Sequence, residues 1–105
     1  MASYSAWMPY TEADVRANVP TTAGVYMISV QLKDDTWQIV YVGQGKLRER
    51  LLDHLSPSEP NDCLREHQKY ATECCWLELS RKGQRDHEEL AKIHKYQPEC
   101  NDQGT

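Results

Sequence analysis

Apolar positions recur every second residue in some stretches of this chain and every third or fourth in others, and the order of the two patterns sets the expected architecture. Thr11 followed three positions later by Asp14 has the form of a capped start and predicts a short helix over 11–17. Pro20-Thr21-Thr22-Ala23-Gly24 then breaks the chain before a β-branched and aromatic strand, Val25 to Val30. Lys33-Asp34-Asp35 is polar turn material, and Trp37 to Val42 reads as the returning strand of a hairpin. With Lys33 and Asp34 as a two-residue loop, Leu32 faces Asp35, Val30 faces Trp37, Ile28 faces Ile39 and Tyr26 faces Tyr41.

Leu47, Leu51, Leu52 and Leu55 make a helical stripe with Arg50 and His54 four apart at its margin. Pro57 and Pro60 mark a loop, after which a helix is expected over 61–70 and a third strand from Cys74 to Leu79. Arg81-Lys82-Gly83 turns into a last helix over 84–96, which must stop before Pro98. The order αββααβα predicts an α/β (α+β) domain, a small three-stranded antiparallel sheet flanked by helices, with residues 1–105 as one unit.

Composition narrows what such a domain can do. The chain has 105 residues, enough for one modest core, a mean hydropathy of -0.79 and no apolar run that could cross a bilayer, so no membrane partner is expected. The opening MASYSAWMPYTEADV has neither the basic start nor the apolar stretch of a signal peptide. The expected location is the cytoplasm, with nucleoid or nucleus allowed. A net charge of -4 is a poor footprint for non-specific nucleic-acid binding, which would need a local patch, a metal or a partner. Cys63, Cys74, Cys75 and Cys100 contain no CxxC. Reduced thiols are the expectation, and a site built from Cys63, His67 and a distant cysteine is the alternative.

Gly43-Gln44-Gly45-Lys46 invites comparison with a phosphate loop, but GxxxxGK[ST] is absent and GxGxxG fails at Arg48. A glycine pair between strand and helix then reads as a tight turn. Glu89 lies in the mixed-charge run Arg85-Asp86-His87-Glu88-Glu89, which alone is an ordinary solvated helix face.

Together these pieces resemble a known family. Gly24-Val25-Tyr26 followed by Tyr41-Val42-Gly43 is similar to the paired signature of the GIY-YIG endonucleases. The likeness continues through Arg50 and His54 and through Glu89 to Pro98 and Asn101, which resembles an ExxxIxxxxPxxN ending, so it spans about 24–101. The resemblance implies hydrolysis of a nucleic-acid phosphodiester, DNA ahead of RNA, with one divalent cation, magnesium or manganese, on Glu89. It makes Tyr26, Tyr41, Arg50, His54 and Glu89 the catalytic set, with Gly24, Gly43, Gly45 and Asn101 structural at the site. Lys46, Arg48, Arg81, Lys82 and Arg85 are the expected nucleic-acid contacts.

Two features depart from the pattern. Fourteen residues separate Tyr26 from Tyr41, which implies a long hairpin tip, and the segment leading to Arg50 is one residue short, which makes Arg48 its rival. With little sequence outside the signature, targeting is expected from a protein partner or a homodimer. The competing reading is a catalytically weak or inactive domain of this fold that serves as a nucleic-acid- or protein-binding subunit. A redox or zinc protein built on the cysteines is the third.

Overall fold

The computed structural model describes residues 3–102, so the outermost limits of the expected domain lie outside the described residues. The elements are β1 (Met8–Pro9), α1 (Glu12–Asn18), β2 (Ala23–Gln31), β3 (Trp37–Lys46), α2 (Leu47–Asp53), α3 (Asp62–His67), β4 (Thr72–Glu78), α4 (Lys82–Tyr96) and a closing 3-10 turn, Glu99–Asp102. The helix starts follow their caps. Thr11 Oγ1 accepts the Asp14 N–H at 3.1 Å to begin α1, and the Asn61 side chain accepts the Leu64 N–H to begin α3. Gln97, in a left-handed conformation (φ 45°), ends α4 one residue before Pro98.

The sheet has four antiparallel strands in the order β1-β4-β2-β3, one more than the alternation predicts. The extra strand pairs only Met8 and Pro9 with Cys74 and Glu73, too short to carry a periodicity, and it lies at the edge, where a proline costs no ladder bond. β2 is central and buried along nearly its whole length.

The hairpin register differs from the expected one at two places. The loop holds three residues, closed by the Leu32 N–H on Thr36 O (2.7 Å) with Asp35 at φ 65°, and this moves the partners by one. A β-bulge between Ile28 and Ser29 leaves Val40 without a partner and moves them by one more. Ile28 therefore faces Tyr41, and Tyr26 faces Gly43 rather than Tyr41. A one-residue slip would have sent Tyr41 to the opposite face from Tyr26, and the second step returns it.

A second correction concerns Gly43 to Lys46. These residues do not turn the chain; they pair with Ala23 to Tyr26 and carry β3 straight to Leu47, where α2 begins.

One face of the sheet packs Tyr26, Ile28, Val30, Val40 and Cys74 against Val15, Val19, Leu47, Leu51 and Leu64 from the first three helices. The other packs Val25, Met27, Val42 and Cys75 against Ile93 of α4 and Tyr4. Adjacent Cys74 and Cys75 point to opposite faces, as extended backbone requires, and burial pushes both thiols up to about 12, so neither is a ready nucleophile. Cys63 and Cys100 are not reduced thiols as expected but a disulfide, because α3 and the closing turn bring their Cα atoms to 5.2 Å. Among the described residues no helix is long and apolar enough to cross a membrane.

β3 is an edge strand, and its outward amide at Val42 would be left open. Asn101 fills it twice. Its Oδ1 accepts the Val42 N–H and its Nδ2 donates to Val42 O, both at 2.8 Å. Asn101→Ala is expected to lower stability by about 1–3 kcal/mol, the usual cost of orphaning buried backbone partners. Urea unfolding of the two proteins measures this, and equal midpoints would show that water replaces the clamp at no cost.

Candidate active site

Tyr26 lies mid-sheet with its ring laid across its β3 partner. A Cβ at Gly43 would fall 2.5 Å from the phenol Cζ and 2.9 Å from a Tyr41 ring carbon. Position 43 is therefore glycine to admit two aromatic rings, which stand 6.2 Å apart at their centroids. Gly45 has φ 137°, and a Cβ there would sit 3.0 Å from Arg50 Cγ, so this glycine holds a strained backbone beside the arginine stem. Gly24 is structural elsewhere, where β2 crosses Leu77 of β4 and Leu47 of α2.

Buried Leu47 and Leu51 anchor α2 on the first core, and the residue that caps its end, His54, is turned inward. His54 Nε2 stands 2.7 Å from the Tyr26 hydroxyl and its Nδ1 stands 3.0 Å from Glu59 Oε2. The other Glu59 oxygen accepts the Asn61 N–H at 3.1 Å. A carboxylate that only accepts puts the imidazole proton on Nδ1 and leaves Nε2 to accept the Tyr26 O–H. Tyr26, His54 and Glu59 thus form one chain of hydrogen bonds, with exposures of 0%, 5% and 4%.

Burial governs the protonation of this group. It raises Tyr26 well above the ordinary tyrosine range, with the Tyr41 phenol adding to the effect and the adjacent Arg50 guanidinium opposing it. Tyr41, half-buried and T-shaped to the His54 ring at 5.1 Å, is raised for the same reason, again opposed by Arg50. Burial lowers His54, while its hydrogen bond to Glu59 pulls the other way.

Arg50 is the arginine at the site. It lies beside Tyr26 and Gly45, and its recorded ionic partner among the described residues is Asp53 at a long 3.4 Å. Arg48 points away and donates from Nε to Val19 O at 2.8 Å. Glu89 comes from α4 and is reached through Gln44, whose amide donates to Glu89 Oε1 (2.9 Å) and Asp86 Oδ1 (2.6 Å) and accepts from Arg85 Nε (3.2 Å). The Gln44 amide, with Lys82, holds Asp86 below the usual carboxylate range. Tyr26, Tyr41, Arg50 and His54 stand together on one face of the sheet. Glu89 is tied to Gln44, whose partner Val25 lies on the other face, and bears on the two tyrosines only as a nearby negative charge.

The expected nucleic-acid contacts divide. Arg85 is also tied to the backbone oxygens of Leu79 (3.0 Å) and Ser80 (2.8 Å), and Lys82 is paired with Asp86. Lys46 and Arg81 are exposed and have no ion-pair partner among the described residues. No protein-family model, curated protein or solved structure matches this chain.

Sequence reasoning missed Glu59 and Gln44. Glu59 stands in Ser-Pro-Ser-Glu-Pro, where polarity and prolines say only loop. Gln44 could have been found by extending the β3 alternation through the glycines. A test of the buried chain follows from His54. Unfolding lets His54 take a proton at its ordinary 6.5, whereas the folded site resists it. The unfolded state then binds more protons below that value, and stability falls as pH drops through it. Urea midpoints measured across about pH 7.5 to 5 should show this decline, and His54→Gln should flatten it; an unchanged slope would mean His54 does not titrate against burial.

Proposed function

We propose that this chain is a metal-dependent endonuclease of the GIY-YIG type that hydrolyses phosphodiester bonds in DNA. The observation that supports this most is the meeting of Tyr26, Tyr41, Arg50 and His54 on one face beside Gly43 and Gly45, with Glu89 tied to the same strand through Gln44. The buried tyrosine–histidine–glutamate chain lies next to an arginine whose ionic contact is a long 3.4 Å.

Glu89 is a fitting metal residue, because Gln44 engages Oε1 and Oε2 has no hydrogen-bond partner among the described residues. A magnesium or manganese ion held there would supply positive charge for the phosphoryl oxygens. The Arg50 guanidinium offers a planar fork to a non-bridging oxygen and stays charged near neutral pH. As the attacking water gives its proton to the Tyr26 oxygen, Tyr26 passes its own proton to His54 Nε2 and Glu59 balances the imidazolium, so no free phenolate forms. Because Tyr26 is fully buried, the packing around its hydroxyl must open before water reaches it. Tyr41, at the half-buried rim, orients the scissile group.

The reading places the protein where nucleic acid is, in the cytoplasm, nucleoid or nucleus, with targeting from a partner or a second copy. An inactive binding module is the second reading, favoured by the enclosure of Tyr26 and the shortage of free basic side chains.

Plasmid, branched DNA and RNA incubated with the protein in magnesium, manganese or chelator should show metal-dependent cleavage of DNA. Glu89→Ala should abolish it, and Tyr26→Phe should lower it by roughly 10²–10⁴-fold with the fold intact. Cleavage that survives Glu89→Ala, or none by wild type on any substrate, would overturn the assignment.

A further inference from the structure

Behind the candidate site, α3 and the closing turn bring a second set of donors together. Cys63 and His67 are four apart on one face of α3, and Glu99 and Cys100 are consecutive in the turn. One donor atom each from Cys63, His67 and Cys100 lies within 4.8 Å of the others. Glu99 Oε1 stands 3.7 Å from Cys63 Sγ and 3.8 Å from His67 Nε2. The Cys63–Glu99 separation is close to an edge of a tetrahedral zinc site, which bond lengths of ~2.0–2.3 Å put at roughly 3.3–3.8 Å. The Nε2 contact with Glu99 leaves the other ring nitrogen open. The second observation is His67 Nδ1, the one buried side-chain nitrogen or oxygen among the described residues with no hydrogen-bond partner. A half-buried imidazole with one enclosed, unmet nitrogen stands beside two sulfurs, so the group offers three zinc donors.

We propose that Cys63, His67 and Cys100, with Glu99 completing the tetrahedron, bind one zinc ion when the Cys63–Cys100 bond is reduced. Disulfide and zinc are two alternative fastenings of the same turn. A dithiol reductant gives two electrons and two protons to the S–S bond, yielding two thiols and its own disulfide. Zinc then replaces those two protons, which pass to solvent, and the thiolates become ligands. Opening the sulfurs from bonded contact to about 3.8 Å across zinc asks little of a backbone whose Cα atoms are already 5.2 Å apart. Either fastening holds the turn whose next residue, Asn101, clamps Val42, and whose Cys100 carbonyl accepts from Asn61 Nδ2 at 3.0 Å.

Cobalt(II) titration of the full chain tests this without reference to any activity. The chain is reduced with a trialkylphosphine, which consumes one water and leaves as phosphine oxide, and is then titrated anaerobically. Reduced wild type should show a thiolate-to-cobalt charge-transfer band saturating at one equivalent and bleached by zinc, and the oxidised chain should show none. Cys63→Ser should lose the band. His67→Gln keeps both cysteines and so folds with its disulfide as wild type does, yet after reduction it should bind cobalt at least about tenfold more weakly. No band from reduced wild type, or a band that survives Cys63→Ser undiminished, would overturn the proposal.

Discussion

The arrangement of the candidate site depends on one contact, the Tyr26 ring lying flat against the backbone of Gly43. That contact sets the height of the Tyr26 hydroxyl over the sheet and so decides which helix residue can meet it. His54 does, at 2.7 Å, because α2 leaves β3 without an intervening loop and two buried leucines fix its rotation. Any side chain at position 43 would lift the ring, break the hydrogen bond to His54 and crowd Tyr41 from the other side. The glycine that looked like punctuation between strand and helix is the floor of the site.

Packing around this contact follows an economy common in small domains. The core is split into two thin layers by the sheet, and no residue of α4 is fully buried. The edge of β3 is closed instead by polar fastenings, Asn101 on Val42 and Gln44 on Glu89 and Asp86. Each also serves the site, since one fixes the strand between Tyr41 and Gly43 and the other delivers a carboxylate from α4. On the proposed function the same side chains carry stability and position the site, and substitutions there need both readouts.

Much of this was legible in the chain. Alternation and caps located the two long strands and the helix starts at Thr11 and Asn61, because those signals are local. The Cys63–Cys100 pairing and the Asn101 clamp were not, since they depend on where the closing turn lands on α3 and β3. The hairpin register failed by two compensating steps, a third loop residue and an unpaired Val40, neither of which alters composition or period enough to be read. Glu59 was invisible for a different reason: a buried carboxylate in a proline-flanked loop looks solvated until its histidine is known to turn inward. The five candidate residues were joined only by the family resemblance, through their order along the chain, and none stood out alone.

The claim that separates a catalytic site from a well-packed core is that the Tyr26–His54–Glu59 chain moves a proton. Glu59→Gln tests it most directly, because the amide nearly preserves volume and its oxygen can still accept from the Asn61 N–H. Its NH2, however, turns His54 to the other tautomer and no longer balances an imidazolium. Single-turnover DNA cleavage in magnesium, measured beside urea unfolding, should fall by roughly 10²–10⁴-fold at near-native stability. Cleavage equal to wild type at equal stability would contradict the account and leave the buried triad as structure alone.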